Sequence, residues 1–153
     1  MRLRIKTYPN KMLEMISNPI EKIEAKHKRW ANAMHFFISK YDGIGLAACQ
    51  VGNPIRLIVI NTKTLDREGV KRTMVNPEII GISKEHTIAS EGCLSLPMKF
   101  VKVNRADTIE VGYRDIDGTS KKEEFSGLEA RVIQHEVDHL NGITMDKREY
   151  IND

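Results

Sequence analysis

The sequence lacks the features of secreted and membrane-spanning proteins. The longest aliphatic run near the middle of the chain, Leu-Ile-Val-Ile at 57–60, is far shorter than the ~20 apolar residues of a membrane-spanning helix. No apolar stretch follows the charged residues at the N-terminus, so no signal peptide is predicted. Cysteine is scarce, and without an export signal Cys49 and Cys93 are expected as thiols or metal ligands rather than as a disulfide. We therefore expect a cytoplasmic protein that does not contact a membrane.

Repeats, low-complexity stretches and Pro/Gly/Ser-rich linkers are also absent. A length of 153 residues is typical of one compact domain, so a single domain is predicted over 1–153. The 24 Lys and Arg residues and the 21 Asp and Glu residues give a formal net charge of +3, and the two signs are interspersed. Because there is no polybasic arm, direct binding to nucleic acid is not expected.

Hydrophobic periodicity predicts a helix near each end of the chain, with strands between them. Apolar residues three or four apart predict a helix over 19–41, and a second helix begins near Gly127 and ends at Asn141-Gly142. A short helical turn is predicted over 10–16. The intervening runs are rich in β-branched residues and predict strands at 55–60, 73–75, 79–82, 87–89, 101–103, 108–113 and 121–125. Such short connections leave no room for crossover helices, so an α+β fold with largely antiparallel sheets is predicted.

The last predicted helix contains the run His-Glu-Val-Asp-His at 135–139. Histidines four residues apart lie on the same face of a helix, so His135 and His139 can bind one metal ion. Glu136 then lies beside the ion without binding it, where a general base can take a proton from metal-bound water. The alternative is an amphipathic helix with two surface histidines and a solvated glutamate.

A catalytic metal ion of this kind needs a third protein ligand. In metzincins a third histidine follows in an extended motif, but Met145 occupies its position here. Only 14 residues follow His139, so a glutamate from a further helix is not expected. The third ligand is therefore expected upstream, where the candidates are Cys93, Cys49 and His86.

Three short motifs stand out along the chain. They are Gly-Ile-Gly-Leu-Ala-Ala-Cys-Gln at 43–50, Glu-Gly-Cys-Leu-Ser at 91–95 and Gln-His-Glu-Val-Asp-His at 134–139. In this order they resemble the motifs of the peptide deformylase family, and the resemblance covers nearly the whole chain. It implies antiparallel β-sheets packed around a central C-terminal helix that carries HExxH, with an N-terminal helix. The chain resembles a short form without the C-terminal helical extension of many relatives.

The resemblance implies a catalytic role for several residues. The expected metal ligands are Cys93, His135 and His139, and the expected general acid/base is Glu136. The side-chain amide of Gln50 and the backbone N–H of Leu94 are expected to form the oxyanion hole. Metal-bound histidines usually donate their other N–H to an oxygen, for which Glu91 or Asp138 is expected, and Arg105 is expected to pair with either carboxylate.

The substrate groove is expected between the first two motifs and the last helix. In the family, backbone groups at the positions of Ile44, Gly45 and Gly92 bond to an extended peptide, which is a form of strand addition. Leu128 and Val132 lie one helical turn apart and are expected to line the methionine pocket. Two residues depart from the commoner bacterial pattern: Phe100, where many members have an arginine, and Arg131, where an aliphatic residue is common.

The reaction implied by the resemblance is removal of the formyl group from the N-terminal formyl-methionine of nascent polypeptides, with release of formate. Fe²⁺ is implied as the physiological ion, although Zn²⁺, Ni²⁺ or Co²⁺ also suits a Cys/His/His site. The expected partner is a formyl-Met-starting nascent polypeptide near the ribosome, and a monomer is expected. Two other functions remain open: a metallopeptidase that cleaves internal bonds, and a structural metal protein or inactive peptide binder. The apparent freedom of Glu136 from any structural duty favours catalysis.

Overall fold

The computed structural model describes residues 1–152, which form two α-helices, seven β-strands and three short 3-10 helices. The helices are α1 (Ala25–Lys40) and α2 (Gly127–Leu140). The strands are β1 (Gly45–Ala47), β2 (Leu57–Asn61), β3 (Lys71–Ile82), β4 (His86–Cys93), β5 (Leu96–Ala106), β6 (Thr108–Arg114) and β7 (Ser120–Ser126). The 3-10 helices span Lys11–Glu14, Ala48–Val51 and Met145–Arg148. Asp153, the last residue of the predicted domain 1–153, lies outside the described residues.

Five strands form an antiparallel sheet in the order β1-β2-β3-β6-β7. Strands β4 and β5 pair only with each other, so this hairpin is an excursion between the neighbouring strands β3 and β6. All strand pairs are antiparallel. The predicted α+β class with antiparallel sheets is therefore confirmed.

Strand β2 is buried on both faces, which explains its unbroken aliphatic run. Alternate residues of a strand point to opposite faces of the sheet. Ile58 belongs to the apolar cluster that contains Ile133 of α2, whereas Val59 belongs to the cluster that contains Ile38 of α1. The sheet is thus packed between the two helices, and α2 is fixed against one face by apolar contacts.

Helix α1 begins at Ala25 and not at 19 as predicted. The side chain of Asn76 accepts a hydrogen bond from the backbone N–H of Ile20 (2.8 Å) and donates one to its carbonyl (2.7 Å). Because a distant strand binds both backbone groups of Ile20, this segment stays outside the helix, which starts after its N-cap residue Glu24. Neither helix within residues 1–152 is long and apolar enough to span a membrane.

The strand predictions were correct in position but not in every boundary. The strands predicted at 73–75 and 79–82 are one strand, β3, which continues through Asn76 and Pro77 with an irregular register opposite β6. A bulge of this kind accommodates a proline, which cannot donate to the ladder. Strand β1 is only three residues long and was not predicted as a strand.

Candidate metal centre

The side chains that could bind a metal ion come from two parts of the fold. His135 and His139 lie one turn apart on α2, and Cys93 is the last residue of β4. The Sγ atom of Cys93 lies 3.4 Å from Nε2 of His139, and one ligand atom from each of the three residues lies within 4.8 Å of the others. The candidate ligands Cys49 and His86 are not part of this cluster. Cys49 is fully buried, and burial raises the pKa of its thiol to about 12.

The imidazole of His135 is oriented by a carboxylate. Its Nδ1 lies 2.9 Å from Oε1 of Glu91, which leaves Nε2 available to an ion. Hydrogen bonds from His135 and Arg105 hold the pKa of Glu91 below its usual range, although burial opposes this shift. His139 is fully buried, and burial lowers its pKa well below the usual value. Burial thus favours the neutral form of His139, which is the form that binds metals.

A network of buried charges surrounds Glu91. Arg105 donates from Nε and Nη2 to the two oxygens of Glu91 (2.9 and 3.0 Å) and from Nη1 to Asp138 (2.6 Å). Arg148 donates to both oxygens of Asp138 (3.2 and 3.1 Å). Of the two carboxylates considered from the sequence, Glu91 contacts His135, whereas Asp138 contacts the arginines.

Glu136 lies in a tight space beside the ligands. Burial raises the pKa of its carboxyl to about 7. Within residues 1–152 nothing donates to its buried Oε2 atom, so the protein itself leaves the hydrogen-bonding capacity of that oxygen unused. Strand β1 passes so close that a Cβ at Gly45 would lie 2.8 Å from Oε1 of Glu136 and 2.6 Å from Cγ1 of Val132. A glycine is required at this position by close packing.

Gln50 is held in one orientation by three contacts. It lies in the 3-10 helix Ala48–Val51, directly after β1. Its Oε1 accepts a hydrogen bond from the backbone N–H of Ala47 (2.9 Å). Its Nε2 donates to Oγ of Ser95 (3.1 Å) and lies 3.6 Å from Sγ of Cys93. Because the oxygen is occupied, the amide N–H₂ group points toward the cysteine.

These residues border one cavity of about 530 Å³. Ten of the eleven residues predicted for the site line it: Ile44, Gly45, Gln50, Gly92, Cys93, Leu94, Leu128, Val132, His135 and Glu136. The eleventh, His139, lies behind them without exposure. Phe100 pairs with Gly92 across the hairpin, and a Cβ added at Gly92 would lie 2.9 Å from the ring of Phe100. The residues that the sequence proposed as a site are thus brought together in space.

Two contacts at the site were not predicted. Ser95 binds the Gln50 amide, which no spacing in the sequence indicates because 45 residues separate them. Arg131 lines the cavity, but its guanidinium lies 2.6 Å from Oε2 of Glu91. A signal for Arg131 was present, since it lies four residues before His135 and therefore on the same helix face.

Known proteins match the chain in sequence and in structure. The family model described as polypeptide deformylase matches residues 2–150. A peptide deformylase of Rhodopseudomonas palustris (strain BisB18) is 41% identical over 137 residues, which cover 88% of this chain and 78% of the relative. The crystal structure of the peptide deformylase from Thermotoga maritima superposes with a TM-score of 0.91 at 36% identity and covers 99% of each chain. The Met-Ala-Ser-bound class I type b peptide deformylase from Acinetobacter baumannii superposes with a TM-score of 0.89 at 33% identity, covering 97% of this chain and 98% of that one.

Proposed function

Since this chain belongs to the polypeptide deformylase family, we propose which of its residues carry out the reaction, which metal ion they bind and where in the cell the reaction takes place. Members of the family are metal-dependent hydrolases that remove the formyl group from formylated nascent polypeptides and release formate. The chain is accordingly an amide hydrolase of this kind. The observation that supports our residue assignment most strongly is the approach of Cys93 to His135 and His139.

We assign Cys93, His135 and His139 as the metal ligands. Three protein ligands leave a position open for water or substrate, which is typical of catalytic rather than structural sites. Three features fit a bound ion with water beside it: Nδ1 of His135 is held by Glu91, burial favours the neutral form of His139, and Oε2 of Glu136 has no partner within residues 1–152. The donor set suits several divalent ions, and we propose Fe²⁺ as the physiological one, as the family resemblance implies.

Glu136 is the proposed general acid/base. A divalent cation in this site would lower the pKa of a bound water and stabilise negative charge on the formyl oxygen. The carboxylate of Glu136 takes the proton of the attacking water and returns it to the leaving amine. Its position next to His135 on α2 supports a role beside the ion and outside the ligand set. Within residues 1–152 no hydrogen bond ties Oε2 of Glu136 to the rest of the protein, which supports this assignment.

The amide of Gln50 and the backbone N–H of Leu94 are the proposed oxyanion hole. The bonds of Gln50 to Ala47 and Ser95 fix its N–H₂ group toward Cys93 before the substrate arrives. A donor that is already oriented needs no reorganisation when charge develops, which is why such donors contribute strongly to catalysis. Leu94 follows Cys93 directly and borders the same cavity.

The peptide is proposed to bind between two free sheet edges. Strand β1 is an edge of the five-stranded sheet, and β4 has only β5 as a partner. The backbones of Ile44, Gly45 and Gly92 at these edges can pair with an extended chain. Leu128 and Val132 then form the apolar wall that receives the methionine side chain.

We propose that the protein acts as a monomer in the cytoplasm, near the ribosome. Formylated N-termini belong to chains under synthesis, and a ferrous thiolate site requires a reducing compartment. The monomeric state is checked by light scattering of the purified protein at several concentrations, where a mass above 17.5 kDa would contradict it.

Anaerobic purification with metal analysis, followed by formate release from formyl-Met-Ala-Ser, tests the assignment. We expect one ion per chain and release of formate, with no cleavage of casein; internal cleavage of casein would instead indicate a metallopeptidase. The chain offers a matched pair of variants, because it has one cysteine at the site and one in the core. Cys93→Ser should lower the metal stoichiometry, whereas Cys49→Ser should retain it. Equal stoichiometry in both variants would reject Cys93 as a ligand.

A further inference from the structure

The two halves of the metal centre belong to parts of the fold that share no strand pairing. Cys93 lies on the β4–β5 hairpin, which forms its own two-stranded sheet. The two histidines lie on α2, which is packed against the five-stranded sheet. The hairpin must therefore be held against α2 by other contacts, because a small relative movement would separate the sulfur from the imidazoles.

Arg131 joins these two parts with three strong contacts. From the middle of α2, its Nη2 donates to the carbonyl of Thr87 on β4 (2.6 Å), and its Nη1 donates to the carbonyl of Val103 on β5 (3.0 Å). Nη1 also donates to Oε2 of Glu91 (2.6 Å). The side chain is only 14% exposed, and its bonds to Glu91 and Val103 are partly buried, whereas the bond to Thr87 lies at the surface. One guanidinium thus binds both strands of the hairpin and the carboxylate that orients His135.

Arg131 also completes the hydrogen bonding of Glu91. An ionised carboxylate has about four acceptor sites. Oε1 of Glu91 accepts from His135 (2.9 Å) and from Arg105 (3.0 Å), and Oε2 accepts from Arg105 (2.9 Å) and from Arg131 (2.6 Å). With all four sites filled, the carboxylate cannot rotate without breaking a charge-assisted bond.

We propose that Arg131 is a positioning residue of the metal centre. Its guanidinium fixes Glu91, and through Glu91 the ring of His135, while it holds the Cys93 hairpin against α2. The inference rests on the proposed ligands, and it concerns how firmly the ion is retained rather than the chemical step. The charged end of Arg131 turns toward Glu91, and its aliphatic stem is left to border the cavity beside Leu128 and Val132.

Electrostatics and positioning predict opposite results, which makes the inference testable. Removing a positive charge near a divalent cation should tighten its binding if charge alone mattered. Removing a residue that orients a ligand loosens binding, typically by 10-fold to 100-fold for groups that hold a metal-bound histidine. Because Arg105 still holds Glu91 from the other side, we expect the lower end of that range.

The experiment measures how fast a chelator removes Zn²⁺ from the loaded protein. We expect Arg131→Leu to raise this rate by about tenfold. The Nδ1 proton of His135, followed by NMR in the zinc form, should shift because Glu91 has lost one of its four partners. Urea unfolding of the metal-free protein measures the purely structural contribution separately.

Two further variants control for charge and for folding. Arg148→Leu removes the same charge from the other end of the network but leaves the four bonds of Glu91 intact, so its zinc release should stay within about twofold of wild type. Arg131→Lys keeps the charge but loses the planar fork, and should release zinc about threefold faster; it decides the question if Arg131→Leu does not fold. Zinc release from Arg131→Lys at the wild-type rate, or tighter zinc binding in Arg131→Leu, would overturn the inference. Formate release by wild type is measured apart from these assays, so a failed inference leaves the proposed function standing.

Discussion

The two sides of α2 are held by different forces. Toward the five-stranded sheet the helix presents Ala130, Ile133 and Leu140, which are fully buried in the apolar core. Toward the hairpin it presents Arg131, His135 and Asp138, which are bound by ion pairs and hydrogen bonds. Apolar contacts are strong but non-directional, whereas charge-assisted hydrogen bonds are directional. The apolar side therefore fixes where the helix lies, and the polar side fixes the geometry of the site.

If this comparison is correct, substitutions of the polar site residues of α2 change chemistry with little effect on stability. Glu136→Gln is the sharpest example and has the largest expected effect. Loss of general acid–base catalysis should lower kcat by about 10²–10⁴-fold, because glutamine cannot take the proton of water. Metal content should remain at one ion per chain, and urea unfolding should change by less than about 1 kcal/mol. Formate release at the wild-type rate from metal-loaded Glu136→Gln would disprove the assigned base.

Substitutions on the apolar side should instead change stability with little effect on chemistry. Ile133 is fully buried. Ile133→Ala should lower the free energy of unfolding by about 2–5 kcal/mol, because it removes buried methyl groups and leaves a cavity. Turnover of the folded, metal-loaded variant should stay within a few-fold of wild type. A small loss of stability combined with a large loss of turnover would show that the two sides of α2 do not act separately.

The C-terminus of α2 offers an intermediate case, because a polar group there serves stability alone. Arg56 donates to the carbonyl of Leu140 (3.0 Å) and to Oδ1 of Asn141 (3.0 Å), so it binds a helix end that has no intrahelical partner. Arg56→Met should cost about 1–2 kcal/mol in urea unfolding of the metal-free protein, since this pair of bonds is partly exposed. Formate release should be unaffected; an altered kcat would show that the helix end also positions the ligands.

The smallest expected effect lies on α1, away from the metal centre. Burial and the nearby Lys71 lower the pKa of His35 to about 4, and its Nε2 bonds to Oγ1 of Thr73 (2.8 Å). Below pH 6.5 the unfolded chain binds a proton that the folded protein rejects, so stability falls as pH decreases toward 4. Between pH 6.5 and 4.5 the free energy of unfolding should fall by about 1 kcal/mol more in the wild type than in His35→Gln. This value is reduced because His35 is partly exposed. Identical pH profiles of the two proteins would contradict this.

Much of the fold was predictable because local sequence patterns indicate its helices and strands. The aliphatic run at 57–60, the alternation at 108–113 and the spacing of His135 and His139 all reflect the periods of strand and helix. Within α2, spacing alone indicated the two proposed histidine ligands and the proposed base. The proposed third ligand could not be chosen from spacing, since Cys93, Cys49 and His86 all remained candidates until the motifs were compared with a family.

The rest depended on contacts between residues far apart in sequence. Asn76 binds the backbone of Ile20 from 56 positions away and shifts the start of α1, which no local signal shows. The bond from Arg131 to Glu91 spans 40 positions. A buried arginine at a pocket wall is predicted only when the carboxylate that compensates its charge is known.

The central claim is that one sulfur from the hairpin and two imidazoles from α2 bind a single ion. X-ray absorption at the metal edge of the Zn²⁺- or Co²⁺-loaded protein tests it most directly. We predict one sulfur at about 2.3 Å and two nitrogens at about 2.0–2.1 Å for zinc, with the sulfur lost in Cys93→Ser and kept in Cys49→Ser. A coordination sphere without sulfur in the wild type, or one that keeps its sulfur in Cys93→Ser, would contradict the claim.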